Sequence, residues 1–266
     1  MSTIRPPAVA GMFYPADADE LHSMIQDFLA AASANGPIPK AIIVPHAGYI
    51  YSGPVAASAY VRLSPAHDCI RRVVLLGPAH RLPFRGLAAS RATAFATPLG
   101  NIPLDTACVA QLTALPQVRF LEEAHALEHS LEVQLPFLQE VLDRFSLIPL
   151  VVGDATSDEV SEVLELVWDG PATLIVVSSD LSHYLDYETA RQRDSVTSRA
   201  IESLQPEAVH NEDACGRNPL KGLLRTARSH SLQAHTIDLR NSGDTAGPRD
   251  QVVGYGAYVF EQQADV

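Results

Sequence analysis

AIIVPHAG, residues 41–48, is a short apolar run, rich in β-branched residues, that leads directly to His46. Two further runs end in the same way: VVLLGPAH, residues 73–80, on His80, and LIVVSSDLSH, residues 174–183, on His183. Runs of this kind are typical of buried strands in a parallel sheet. The carboxyl ends of parallel strands meet at one edge, where open α/β sheets place ligands and catalytic groups. We therefore expect the three histidines to converge, with His46 and His80 on neighbouring strands.

The rest of the chain alternates predicted helices with predicted strands. Helices are predicted from about Asp17, over 55–61, from Asp105, over 137–142 and over 157–168, with a hairpin-like excursion over 86–105 and a strand over 147–152. After residue 205 we expect a helix ending near Ala214, a helix over 219–227, and strands over 234–239 and 252–260. This order predicts an α/β fold, a single domain over residues 1–266 whose mixed, largely parallel central sheet is flanked by helices.

Composition and charge limit the class of protein. With 266 residues, 47% of them hydrophobic, the chain can bury a large core. Its formal net charge is -12 and its lysines and arginines form no cluster, so we expect no nucleic-acid partner. No apolar run reaches the roughly 18 residues that a membrane span needs. Because no long apolar segment follows the N-terminus either, we expect a cytoplasmic protein. Cys69, Cys108 and Cys215 form no Cys-x-x-Cys pair, so we expect reduced thiols.

The first candidate site is a metal site. His46 and His80 can each offer the lone pair of a neutral imidazole from a strand end. Cys215 can complete the set, because the start of a predicted helix and the neighbouring Arg217 would both favour its thiolate. Two imidazoles and a thiolate suit iron, copper or zinc. The alternative for Cys215 is a buried, inert thiol.

A second set of polar residues predicts acid–base chemistry. His183 follows Asp180, so that carboxylate or a backbone carbonyl could orient its ring and leave it as a general base. His129 and Glu132 stand three residues apart and would share one face of a helix, although many solvated faces carry such a pair. Glu128, next to them, is interpreted as an ordinary polar residue. Tyr49 and Tyr51 follow His46 and are expected either to line the cleft or simply to cover the sheet.

Five motifs, in this order, closely resemble the Memo family. They are PHAGY at 45–49, LGPAH at 76–80, EHSLE at 128–132, SSDLSH at 178–183 and CGR at 215–217. The opening VAGMFYP at 9–15 and the closing NSGD at 241–244 and VGY at 253–255 also resemble that family. The resemblance covers nearly the whole chain.

The resemblance implies a fold and a metal site. The fold would be similar to that of class III extradiol (LigB-like) dioxygenases, non-haem iron enzymes that cleave catechol rings. His46, His80 and Cys215 match positions that bind iron or copper in Memo proteins, and His183 matches the acid–base histidine of the dioxygenases. The third ligand of those enzymes is a glutamate, so Cys215 alters the usual two-histidine, one-carboxylate set. Prokaryotic members are often encoded with a radical-SAM protein and an AMME-type protein, as protein B of the AmmeMemoRadiSam system.

The leading hypothesis is a metalloprotein of redox or oxygenase activity, with Fe(II) or Cu, and zinc as a further candidate, on His46, His80 and Cys215. His183, Asp180 and His129 would surround that ion. A carboxylate ligand such as Glu132 or Asp180 would bring the site closer to a dioxygenase.

Two other functions compete with this hypothesis. In a binding module, the same cleft would receive a peptide or a small anionic ligand, provided that Arg81, Arg85 and Arg217 gather near it. A hydrolase using Ser178 or Ser179 is disfavoured, because those residues form no Gly-x-Ser-x-Gly elbow.

Overall fold

The structure, a computed structural model, describes residues 3–262. Its strands are β1 Ile4–Arg5, β2 Ala41–Val44, β3 Arg72–Pro78, β4 Leu87–Ala89, β5 Ala94–Thr97, β6 Gly100–Pro103, β7 Val118–Phe120, β8 Ser146–Val152, β9 Thr173–Ser178, β10 His183–Leu185, β11 Leu232–Asn241 and β12 Val252–Gln262. Its α-helices are α1 Ala18–Ala31, α2 Tyr49–Tyr60, α3 Thr106–Leu112, α4 Glu122–Ala126, α5 Leu135–Val141, α6 Ser157–Val167, α7 Tyr187–Glu202, α8 Arg217–Ser229 and α9 Ser242–Thr245. Short 3-10 helices lie at Val61–Ala66, Glu132–Gln134 and Pro206–Ala208.

The main sheet has a parallel centre with antiparallel strands on both sides. Strands β2, β9, β3 and β8 lie side by side in that order and run parallel. β12 joins β2 antiparallel and carries β10 and β11, while β4 joins β8 antiparallel and carries β7. β1, β5 and β6 form a separate small sheet, in which β5 and β6 are the predicted hairpin. The α/β fold with a mixed, largely parallel central sheet is therefore confirmed.

The order of the central strands corrects one expectation. β2 and β3, which lead to His46 and His80, are not neighbours, because β9 lies between them and pairs with both. The end of β9 at Ser178 therefore lies between the two histidine-bearing strand ends. The wrong pairing came from chain order, and sequence neighbours are not always neighbours in a sheet.

Both faces of the main sheet are buried, each by its own hydrophobic cluster. In β3, Val73 and Leu75 belong to one cluster, and Val74 and Leu76 belong to the other, as the two-residue period of a strand requires. Helices α1, α2 and α5 cover the first face, and α6, α7 and α8 cover the second. Double coverage explains why the strands are continuous apolar runs rather than alternating ones. Each fully buried valine or leucine contributes about 1.5–3 kcal/mol to folding.

The helix expected to end near Ala214 does not form. Helix α7 ends at Glu202, Leu204 takes a left-handed backbone with φ of 50°, and Pro206 starts a single 3-10 turn. A left-handed residue followed by a proline stops a helix. The chain then crosses the sheet edge, where the backbone N–H of Cys215 donates to the carbonyl of Asp180 at 3.3 Å. Among residues 3–262, no helix is both long and apolar enough to cross a membrane.

Candidate metal centre

A cleft of about 750 Å³ lies at the carboxyl edge of the parallel strands. It is lined by three of the predicted metal ligands and by the predicted acid–base residues: His46, His80, Cys215, His129, Asp180 and His183. Convergence of the three strand-end histidines is therefore confirmed. Tyr51 also lines the cleft, which is one of the two positions that the sequence predicted for it. Arg81 lines the cleft as well.

The ring of His46 is fixed in one tautomer by its neighbours. Its Nδ1 lies 2.9 Å from the Oγ of Ser178. That hydroxyl has a single proton, which it donates to the carbonyl of Ser130 at 2.6 Å. It therefore accepts from the Nδ1–H of His46, as it also accepts from Gln134 Nε2 at 2.8 Å. The Nε2 of His46 is left with a free lone pair in the cleft.

The ring of His80 is oriented by Glu128. The Nδ1 of His80 lies 2.9 Å from the Oε1 of Glu128, and the Oε2 accepts the backbone N–H of His80 at 2.6 Å. Burial by itself would raise the pKa of Glu128, but the hydrogen bonds that it accepts from His80 and from the N–H of Ser130 hold that pKa at about 2. An ionised carboxylate only accepts, so His80 donates from Nδ1 and keeps the Nε2 lone pair.

The loop that carries Cys215 reaches the sheet edge by a close backbone approach. The N–H of Gly216 donates to the Oγ of Ser179 at 2.9 Å, and a Cβ at Gly216 would lie 2.6 Å from the Cβ of Ser179. The loop places the Sγ of Cys215 3.3 Å from the Nε2 of His46. The backbone N–H of Asp180 also lies 3.3 Å from that sulfur.

The expected lowering of the Cys215 pKa is wrong for the protein alone. Burial, followed by the nearby Asp180 carboxylate, raises the pKa of the thiol well above its ordinary value. Helix α8 begins at Arg217, two residues after the cysteine, and Arg217 lines a different cavity from the cleft. The thiol is therefore neutral at pH 7, and it becomes a thiolate only when a cation replaces its proton.

These three residues fit a metal ion. Ligand atoms of His46, His80 and Cys215 all lie within 4.8 Å of one another. Metal–nitrogen and metal–sulfur bonds of about 2.1 and 2.3 Å, set at about 90–110°, put two ligand atoms about 3.1–3.6 Å apart. The 3.3 Å between the His46 Nε2 and the Cys215 Sγ falls in that range. Both imidazoles are also held through Nδ1, which is the usual support for a histidine that binds metal through Nε2.

The ring of His129 lies against those of His46 and His80. Its ring stacks on that of His80 with centroids 4.7 Å apart and meets that of His46 edge-on at 5.5 Å. Its buried Nδ1 has no hydrogen-bond partner among residues 3–262, although the Oε1 of Glu128 lies 3.4 Å away. Burial lowers the pKa of His129, so the ring is neutral at pH 7. His80, Glu128 and His129 also meet the distance requirement for a metal group.

His183 and Asp180 have different roles in the arrangement. The Nδ1 of His183 donates to the carbonyl of Leu181 at 2.8 Å, so a backbone carbonyl orients this ring and leaves its Nε2 free to accept a proton. Asp180 instead accepts the backbone N–H of His46 at 2.7 Å. Its side chain is buried, and burial raises its pKa. Of the two sequence-based alternatives, the carbonyl is the one that holds His183.

Two residues proposed for the cleft lie elsewhere. Tyr49 is buried under the sheet edge, where its hydroxyl donates to the carbonyl of Val133 at 2.7 Å. Arg217 lines a neighbouring cavity and not the metal cleft. For both residues, closeness in sequence to His46 or Cys215 was a poor guide to position. Each is the first residue of a helix, and such a side chain can point towards the cleft or away from it.

Glu132 is also outside the cleft. It is fully buried and binds Arg5, the backbone N–H groups of Ala8 and Val9, and the hydroxyl of Tyr14, at 2.7–2.9 Å. This carboxylate therefore fastens the N-terminal segment to the domain and is no ligand for an ion beside His46. The residues 132–134 form a 3-10 turn, so His129 and Glu132 do not share the face of an α-helix.

Sequence reasoning missed the role of Glu128 and the participation of Tyr255. Glu128 was interpreted as ordinary because its partner His80 is 48 residues away, so no local spacing joins them. Tyr255 lines the cleft from β12, and its place in the closing VGY motif was the one sequence signal that marked it. The hydrolase interpretation finds no support, since Ser178 donates to Ser130 and Ser179 to the carbonyl of Asp180.

Comparisons with known proteins agree with the motifs. The model of the Memo family, described as Memo-like protein, matches residues 5–259. A MEMO1 family protein of Aquifex aeolicus (strain VF5) is 38% identical over 269 residues, which cover 97% of this chain and 99% of the relative. One of Aeropyrum pernix is 36% identical, covering 96% and 98%. A solved structure, that of the uncharacterized protein JW3007 from Escherichia coli K12, has a TM-score of 0.54 at 14% identity, covering 82% of this chain and 98% of that chain, and is similar in fold.

Proposed function

Because this chain belongs to the Memo family, we propose that it is a metalloprotein in which His46, His80 and Cys215 bind one iron or copper ion. The proposed activity is redox or oxygenase chemistry on a small molecule held in the cleft. The observation that carries the proposal is the shared tautomer of the two histidines, whose Nδ1 atoms are both occupied by acceptors. Their free Nε2 lone pairs suit an ion that Cys215 can also reach.

Neighbouring residues support the ligand set. Ser178 and Glu128 fix the planes of the two imidazoles. The ionised Glu128 also raises the basicity of the Nε2 of His80, which strengthens it as a metal ligand. Glu132 is fully engaged with the N-terminal segment, and Asp180 accepts a backbone N–H. Neither carboxylate is as well placed as Cys215 to complete the set, which favours a two-histidine, one-thiolate centre over the dioxygenase triad.

The residues around the centre supply proton transfer and shielding. When bound, iron or copper would supply a Lewis acid and a one-electron redox couple. His183 can take a proton at Nε2, because its Nδ1–H is already committed to a carbonyl. Tyr51 and Tyr255 form aromatic walls of the cleft, and burial raises the pKa of Tyr255, so its hydroxyl remains a neutral donor. A cleft of about 750 Å³ is within the usual size of small-molecule sites.

Metal content tests the proposal. The full chain is purified without oxygen, offered Fe(II), Cu(I) or Zn(II) in turn, and measured by mass spectrometry alongside His46→Ala and Cys215→Ser. Cys108→Ser is the matched control, because it removes a partly buried thiol that lies outside the cleft. We expect about one ion per chain in the parent and the control, and loss of most of it in the two ligand variants.

Two results would contradict the proposal. Metal-free parent protein after all three additions would favour a binding module that uses the same cleft. Equal metal in the parent and in Cys215→Ser would place the ion on other residues.

Oxygen uptake in the presence of catechols, lost in His183→Ala while metal is retained, would identify the reaction as dioxygenase-like.

A further inference from the structure

A second cavity of about 560 Å³, which we name the arginine pocket, lies next to the metal cleft. Its polar lining includes Arg85, Arg217 and Asn218, and its apolar lining includes Leu82 and Phe84. Cys215 lines both the arginine pocket and the cleft, so one loop separates the two. None of the proposed metal ligands other than Cys215 borders this second cavity.

The guanidinium of Arg217 is available to a ligand. Arg217 is partly buried, yet its guanidinium forms no ion pair or hydrogen bond with another residue in the described part of the chain. The buried Arg5 and Arg62, in contrast, are paired with Glu132 and Glu261. A guanidinium carries five N–H donors. Because no residue in the described part of the chain uses these donors, they are free for a ligand that accepts hydrogen bonds.

The charges around the pocket favour an anion as that ligand. Arg85 lines the same pocket as Arg217, and within the described residues it too has no carboxylate partner. Asp154 lines the same cavity but forms no ion pair with either arginine. Two unpaired guanidinium groups with one carboxylate leave a positive cavity in a chain whose formal net charge is -12. Two guanidinium groups together are well suited to bind the oxygens of a planar carboxylate or a tetrahedral phosphate.

Not all of the pocket is polar. Leu82 and Phe84 belong to the apolar wall, and both pack against a hydrophobic cluster of the core. Asn218 is already used in part, since its Nδ2 donates to the carbonyl of Gly153 at 2.8 Å. The pocket thus combines a positive end with an apolar wall, which suits an oxyanion that carries a small hydrocarbon body.

We propose that the arginine pocket binds a small organic anion, whose carboxylate or phosphate group is held by Arg85 and Arg217 and whose apolar part lies on Leu82 and Phe84. This site is separate from the metal site and needs no bound ion. Its failure would therefore leave the proposed metal function untouched, and loss of the metal function would leave this site in place.

Titration calorimetry of the full chain at low ionic strength tests the proposal. The probes are inorganic phosphate, acetate and butyrate, with butyramide as the uncharged analogue of butyrate. The variants are Arg217→Gln and Arg85→Gln, and the control is Arg81→Gln, which removes an arginine that lines the metal cleft instead. Metal content is measured on every variant, so that the two sites are followed independently.

We expect at least one charged probe to bind the parent and Arg81→Gln with affinities within twofold, and to bind the two pocket variants at least tenfold more weakly. Butyrate binding tighter than acetate would show that the apolar wall contributes, and phosphate binding tighter than both would identify a phosphoryl site. Because Arg85 is exposed, its variant is expected to fold even if Arg217→Gln does not. Three results would overturn the proposal: butyramide binding as tightly as butyrate, a greater loss of affinity in Arg81→Gln than in the two pocket variants, or no binding of any charged probe to the parent.

Discussion

Glu128 holds His80 twice, through the ring Nδ1 at 2.9 Å and through the backbone N–H at 2.6 Å. The two contacts fix both the backbone and the plane of the imidazole. Glu128 thereby decides which nitrogen of His80 faces the cleft, although it lines no part of the cleft itself.

Replacing Glu128 by glutamine tests this relationship. Glutamine can accept from only one of the two N–H groups of His80 and carries no charge. We expect the affinity for the preferred metal to fall about 10–100-fold while the fold is kept. Competition with a chromogenic chelator measures the affinity, and Glu123→Gln, on the exposed side of α4, is the control. An unchanged affinity would mean that His80 is not a ligand or does not depend on Glu128.

Ser178→Ala tests the same principle on His46. The substitution removes the acceptor that fixes the Nδ1–H, so the ring can rotate and the competing tautomer becomes populated. We expect about 1 kcal/mol of lost stability and a clear loss of metal affinity. Ser161→Ala, which removes a buried hydroxyl hydrogen-bonded to Thr226, should lose similar stability in urea unfolding with no change in metal affinity. Equal metal affinity in the two variants would contradict the assigned tautomer.

Glu132→Gln is expected to act on stability and not on metal. Glu132 and Arg5 form a buried ion pair, and removal of one partner leaves the other charge buried alone. Breaking such a pair costs about 3–5 kcal/mol. Urea unfolding measures the loss, and the folded fraction should still carry metal at the parent ratio. A folded variant without metal would restore Glu132 as a ligand candidate.

His125 predicts a stability change at acid pH. Its Nε2 donates to the carbonyl of Ala88, and burial lowers its pKa to about 4. The positive charge of Arg5 adds to this lowering, while the hydrogen bond to Ala88 and the charges of Glu122 and Glu128 oppose it. The unfolded chain, with an ordinary histidine pKa of about 6.5, therefore binds the proton more tightly. The stability that depends on neutral His125 is present above pH 6.5 and is lost as the pH falls towards about 4, by at most about 3 kcal/mol.

The comparison with His125→Gln isolates that change. Glutamine keeps an N–H donor but does not titrate, so the stability of the parent relative to the variant should fall between pH 7 and pH 4. The comparison between the two proteins is needed because burial raises the pKa of Asp194 to about 6, so that this carboxyl titrates in the same pH range. Protonation of Asp194 increases stability as the pH falls, and it does so equally in both proteins. Unfolding of both proteins in urea across this pH range supplies the curve. A constant difference would show that the pKa of His125 is the same in the folded and unfolded protein, so that burial does not lower it.

Tyr184 has a strained backbone at the mouth of the cleft. Its φ is 58°, in the left-handed region, and 71% of the residue is exposed. A left-handed conformation costs an ordinary residue about 1–2 kcal/mol, and asparagine tolerates it better. Tyr184→Asn should therefore be more stable than Tyr184→Ala by about 0.5–1 kcal/mol in urea unfolding, although both remove the same ring. The reverse order would mean that the side chain, and not the backbone, sets the stability here.

Much of the candidate site could be predicted from the sequence because its histidines follow buried strands. Apolar runs report which segments are covered on both faces, and parallel strands end at one edge, so His46, His80 and His183 could be placed together without coordinates. The chain order could not reveal that β9 lies between β2 and β3, because strand pairing depends on the whole topology.

The sequence by itself determined the α/β fold, the family and the edge at which the site lies, since these depend on local periodicity and on motifs. Tertiary structure alone decided which polar atoms pair across that edge. In the folded protein Glu128 binds His80, Glu132 binds Arg5, and Arg217 lines the arginine pocket and not the cleft. The reason is physical: a hydrogen bond needs two atoms within about 3 Å, and no local pattern records which distant segments the folded chain brings that close.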